Sequence, residues 1–165
     1  GALIAFELAG RLREMGLPEP RLLVASASRA PHRTKRASPI HSLPDAAFRD
    51  ALRDLEGTPE AVLAHDELME LLLPTLRADF ELCEKYVHDG EDPLECPILA
   101  IGGTSDPNVT TAELGEWRAM TRGAFSEQIL EGGHFFLEDH AAGILRLVEE
   151  MALGGGAPPA GDSRL

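Results

Sequence analysis

The run Pro97-Ile98-Leu99-Ala100-Ile101 constrains this chain more than any other stretch. Its apolar character is unbroken, and it ends in Gly102-Gly103 followed by the polar Thr104-Ser105-Asp106. A strand covered on both faces has this signature, and such strands belong to parallel sheets flanked by helices. Arg21 to Ala27 and Phe125 to Leu130 read as two further strands, and the segments between the three carry helical spacing. An α/β fold with a mostly parallel sheet and flanking helices is therefore expected. Polar residues delivered from the C-terminal ends of two such strands mark the usual place for an active site.

Ala2 to Met15 reads as a helix on the spacing of Leu8, Leu12 and Met15, and Gly16 and Pro18 stop it. No Ser, Thr, Asp or Asn precedes its first turn as a cap. Three strands are also few for a doubly wound sheet, whose apolar edge would lie bare. Both features lead to the expectation of sequence ahead of Gly1. Ser28 to Ser42 is a loop with two prolines and a basic cluster, Arg29, Arg33, Lys35 and Arg36.

From Leu43 to His88 the pattern is helical. Phe48, Leu52 and Leu55 mark one helix after Asp45, Thr58-Pro59 opens a second with a cap and a first-turn proline, and Leu68, Leu71 and Leu72 lead through Pro74 to Leu76, Phe80 and Cys83. This exceeds a simple crossover between strands. A lid over the active-site end would have this form, and so would a plain helical subdomain. Thr111 to Arg122 and Asp139 to Leu153 read as the last helices. The expected organisation is one α/β domain over 1–153, with a helical insertion at about 43–90. The Gly- and Pro-rich tail at 154–165 has almost nothing to bury and is expected to be disordered.

At 165 residues the chain is long enough for one domain with a real core. A net charge of -13 argues against nucleic acid as a partner, because most of the surface would repel a polyanion. No apolar run approaches the ~20 residues that span a bilayer. Cys83 and Cys96 fit neither a disulfide framework nor a metal site, so both are read as free thiols of a cytoplasmic protein. No cofactor or metal is expected, and the chain is expected to be a monomer.

The second polar loop is Glu131-Gly132-Gly133-His134-Phe135-Phe136, directly after the strand ending at Leu130. Its glycines allow a tight turn and leave an imidazole at the strand's end. His134 is thus the candidate general base, and Asp106, at the end of the neighbouring strand, the carboxylate that orients it. Asp139 competes for that role but has the position of a helix cap. The other histidines, His32, His41, His65, His88 and His140, have no comparable setting.

Taken together, Gly1-Ala2-Leu3-Ile4-Ala5-Phe6-Glu7-Leu8-Ala9, Arg29-Ala30-Pro31, Leu73-Pro74-Thr75-Leu76-Arg77-Ala78-Asp79-Phe80, Pro97 to Gly103, Asp106-Pro107 with Val109 and Trp117, and Gly132-Gly133-His134-Phe135-Phe136 resemble the type II thioesterases of nonribosomal peptide and polyketide synthesis. The resemblance runs from Gly1 to about Leu153. It implies an α/β-hydrolase that removes acyl groups from the phosphopantetheine arm of carrier proteins, with a Ser-Asp-His triad in that chain order. Asp106 and His134 match the acid and base. Gly1 looks like the last glycine of the Gly-x-Ser-x-Gly elbow, which would put the serine two residues ahead of it. The 165 residues alone are accordingly expected not to turn over substrate.

The resemblance also implies a carrier protein as partner. Carrier proteins are usually acidic, as this chain is, so a local basic surface would have to offset the repulsion. Arg29, Arg33, Lys35 and Arg36 are the candidates. Met69, Leu72, Leu76 and Phe80 are candidates for lining an acyl channel, with core residues as the alternative. Another α/β-hydrolase, such as an esterase or acyltransferase, remains open, and so does a non-catalytic carrier-binding module. A phosphate-cradling role for Gly102-Gly103-Thr104 has weaker support, since the lysine and wider spacing are missing.

Overall fold

The computed structural model describes residues 1–33, 39–88 and 92–154. Lys35, Arg36 and the tail from 155 onward lie outside them. The chain divides into two compact units, Gly1–Arg33 with His88–Leu165, and Thr34–Val87.

The first unit is built on three parallel strands in the order β1 (Leu23–Ser26), β2 (Ile98–Gly103), β3 (Phe125–Leu130). Leu23 pairs with Ile98 on one side of β2, and Ile98 with Phe125 on the other. All six residues of β2 are buried, as its apolar sequence requires of a central strand. Leu23, Ala25, Ile98 and Ala100 face a layer formed by Phe6 and Ala9 of α1 (Ala2–Glu14), Leu114 of α5 (Thr111–Gly115) and Trp117. Leu99, Ile101 and Leu130 face the other way, onto Phe136 and onto Ile144 and Met151 of α6 (Leu137–Gly154). Burying side chains such as Ile98, Leu99 and Ile101 stabilises the fold by about 1.5–3 kcal/mol each.

β2 runs two residues beyond the expected Ile101, because Gly102 and Gly103 keep their pairing with Ile129 and Leu130. The helix expected over Thr111 to Arg122 instead tightens after Gly115 into a 3-10 turn, Glu116–Met120. Three residues per turn stack Trp117 and Met120 on one side, and both are buried. The Trp117 ring N–H also donates to the Ser28 carbonyl at 2.7 Å. α6 starts at Leu137, so Asp139 is a first-turn residue and not its cap; its charge still suits the helix N-terminus.

The second unit packs α2 (Asp45–Asp54), α3 (Glu60–Leu63) and α4 (Asp66–Lys85) around Phe48, Leu52, Leu63, Met69 and Leu73. Pro59, not Thr58, occupies the cap of α3. The guanidinium of Arg77 lies 4.5 Å from the centre of the Phe48 ring. The Glu84 carboxylate accepts from the backbone N–H groups of Ile40 and His41 and from the His41 ring. Among the described residues, no helix is long and apolar enough to cross a membrane.

Candidate active site

Asp106 follows β2 and its side chain is fully buried. One carboxylate oxygen, Oδ1, accepts the backbone N–H groups of Asn108 at 2.7 Å and Val109 at 3.2 Å. That leaves Oδ2, which lies 2.8 Å from His134 Nδ1. A carboxylate has no proton to give, so His134 donates through Nδ1–H and the neutral ring carries its lone pair on Nε2. The ring is part-exposed, stands edge-on to Phe135, and has no partner at Nε2 among the described residues. An imidazole held in that tautomer with a free Nε2 can accept a proton from a nucleophile or water.

The sheet brings the two loops together. Beyond the strand ends, Thr104 N–H donates to the Leu130 carbonyl at 2.8 Å and Ser105 N–H to the Gly132 carbonyl at 2.9 Å, so the acid loop continues the β2–β3 pairing. A Cβ on Gly103 would lie 2.5 Å from the Gly132 carbonyl oxygen, so only glycine allows this approach. Gly132 has φ of +127°, which other residues rarely adopt. The glycines on either side of the acid–base pair thus serve its geometry.

Gly1 is exposed and occupies the cap position of α1. Arg29 and Arg33 follow β1 and pair with acidic residues of their own chain: Arg29 Nε is 2.9 Å from Glu113, and Arg33 Nε is 2.6 Å from Glu116, which His32 also approaches. Met69 is fully buried in the core of the second unit, Leu76 and Phe80 pack against that core, and Leu72 is half-buried. No group of three or more His, Cys, Asp or Glu residues among those described is placed to hold a metal ion.

Two side chains beside the site make contacts that the sequence alone does not assign to them. Thr104 and His140 both bond to the His134 loop. The spacing of Thr104 from Asp106 was a usable signal, whereas nothing local marks His140.

A family model described as a thioesterase domain matches residues 1–151. The chain belongs to the thioesterase domain family. This thioesterase chain is 43% identical over 152 residues to a protein of Brevibacillus parabrevis named linear gramicidin dehydrogenase, covering 90% of this chain and 58% of the relative. It is 45% identical to a gramicidin S biosynthesis protein of Aneurinibacillus migulanus, covering 83% of this chain and 54% of the relative. Among solved structures it is similar to the type II thioesterase of the borrelidin biosynthetic cluster, with TM-score 0.81 and 38% identity, over 92% of this chain and 62% of that one. The chain thus spans about half the length of the curated relatives it matches. The solved relatives confirm the expected α/β-hydrolase class of fold.

Proposed function

We propose that this thioesterase chain carries the acid and base of a centre that hydrolyses acyl groups from the phosphopantetheine arm of carrier proteins in peptide or polyketide assembly. The observation that carries this reading is the 2.8 Å contact between the buried Asp106 carboxylate and His134 Nδ1, at the ends of adjacent parallel strands. The names of the relatives, drawn from such pathways, support the substrate class. The nucleophile is proposed to be a serine outside these 165 residues.

The Asp106–His134 geometry supports the following chemistry. His134 Nε2 takes the serine proton as the oxygen attacks the thioester carbonyl, and Asp106 stabilises the resulting imidazolium through Nδ1–H. Collapse of the tetrahedral intermediate breaks the C–S bond; the pantetheine sulfur leaves and takes up the proton that His134 holds, giving a free thiol, an acyl-serine and a neutral ring with Nε2 free again. Thiolates leave readily, so little acid assistance is needed at this step. A water then gives its proton to Nε2 and its oxygen to the acyl carbon, and the serine leaves with a proton from the ring.

We also assign carrier docking to Arg29, Arg33, Lys35 and Arg36. Glu113 and Glu116 orient the first two but offset their charge, so an acidic carrier has to compete with these carboxylates. Reversing Arg33 and Arg36 should then reduce the salt sensitivity of turnover on carrier-bound substrate; unchanged sensitivity refutes the assignment.

The decisive experiment assays the chain, alone and together with whatever is encoded in frame ahead of Gly1, on an acyl group carried by a carrier protein and on a free ester. Turnover is expected only in the longer form, with the carrier substrate preferred and with dependence on His134. Preference for the free ester would replace this reading by an esterase. Turnover by the 165 residues alone would refute the external nucleophile.

A further inference from the structure

Asp106 is held by two backbone N–H groups, but His134 sits on a loop, and its aim depends on what fixes that loop. The peptide unit joining Glu131 to Gly132 is held at both ends by side chains from different elements. Its carbonyl, that of Glu131, lies 2.9 Å from His140 Nε2. Its N–H, that of Gly132, donates to Thr104 Oγ1 at 3.2 Å. A carbonyl offers no proton, so His140 is the donor in either protonation state.

We propose that Thr104 and His140 form a peptide clamp and act as positioning residues for His134. A peptide unit is planar, so fixing its oxygen and its hydrogen fixes the orientation of the whole group. The clamped unit immediately precedes the φ of Gly132, the +127° torsion that turns the chain toward His134. That torsion is intrinsically free to vary, because glycine visits many conformations at little cost. The clamp selects one of them. Thr104 approaches from the acid loop, and His140 from the first turns of α6, so the base is registered both to its carboxylate and to the helix covering the sheet. The functional weight of the clamp rests on reading His134 and Asp106 as an acid–base pair. Its geometry can be tested without turnover.

The test is proton NMR of the full chain, following the His134 Nδ1–H that Asp106 accepts, with D106N to assign it. T104V and H140F each remove one hydroxyl or ring donor at similar shape, while T104S and H140Q keep a group able to make the bond. Each loss is expected to quicken exchange of that proton with solvent by about tenfold, the effect of one ordinary hydrogen bond on a local opening equilibrium. The double variant should lose the resonance, and T104S and H140Q should restore slow exchange. Backbone amides of β2 and β3 report in each sample whether the sheet is intact, and the conservative pair keeps the comparison within folded proteins. Unchanged exchange in T104V and H140F with an intact sheet overturns the clamp. Absence of the resonance from the parent chain overturns the acid–base pair and the clamp with it.

Discussion

Gly103 and Gly133 meet with no room for a methyl group, since a Cβ on Gly103 would lie 2.3 Å from the Gly133 carbonyl oxygen. The obstacle is backbone, which cannot swing aside as a side chain can. G103A therefore has to part the acid loop from the base loop. It is expected to cost about 3 kcal/mol, the upper end of the range for overpacking. Chemical denaturation measures the cost, and a retained His134–Asp106 hydrogen bond in the folded variant would show that the loops separate elsewhere.

Replacing Asp106 by Asn tests the tautomer argument. An amide can present its NH2 to Nδ1, which then becomes the acceptor and moves the ring proton to Nε2, where the base must be free. In any form of the protein that turns over carrier-bound thioester, D106N should lower kcat by about 10⁴ while the fold survives, as the equivalent change does in a serine protease. H134A should do at least as much. A loss of only a fewfold in either would remove that residue from the mechanism.

The second unit has its own pH signature. Burial works against the Glu84 carboxylate, but hydrogen bonds from the Ile40 N–H and from the ring and N–H of His41 outweigh it and hold its pKa below the ordinary value. A carboxyl group depressed on folding contributes stability above its unfolded pKa of about 4.3, and that contribution is lost as pH falls through the lower folded value. E84Q is expected to cost about 2 kcal/mol at pH 7, as bonds to a charged group do. The deficit relative to the parent should close below about pH 4. Urea titrations of both proteins at several pH values give the comparison, and a deficit independent of pH would show that the charge is irrelevant.

The two thiols should separate kinetically. Cys83 is exposed, whereas burial first, and then the nearby Glu19, pushes the Cys96 thiol up to about 11. At pH 8 only about one Cys96 in a thousand is then thiolate, the reactive form. A disulfide reagent added to the native chain should consume one equivalent promptly and the second only after denaturant is added. Prompt reaction of both would place Cys96 nearer the surface.

Much of the fold was legible in local pattern. Pro97 to Ile101 read as a buried parallel strand because a central strand has no polar face; β3 matches its expected bounds although Ser126, Glu127 and Gln128 interrupt its apolar character. The 3-10 turn at Glu116–Met120 did not show, because the tightening answers to the burial of Trp117 and Met120 against residues far away in the chain. Thr58 and Asp139 looked like caps because their side chains suit that place, but helix starts also depend on how the preceding chain packs.

At the site, residue types and the pairing of Asp106 with His134 were readable, whereas distances and the surrounding contacts were not. The sequence by itself determined that a histidine behind two glycines and an aspartate behind two others would stand at strand ends, because periodicity and turn chemistry are properties of neighbouring residues. Only the tertiary structure decided that Asp106 and His134, 28 positions apart, come within 2.8 Å. It alone placed Thr104 and His140 on the two ends of one peptide unit and matched Arg29 and Arg33 with Glu113 and Glu116. The register of β2 against β3 and the return of α6 across the sheet set those distances, and both depend on packing among residues that no local pattern brings together.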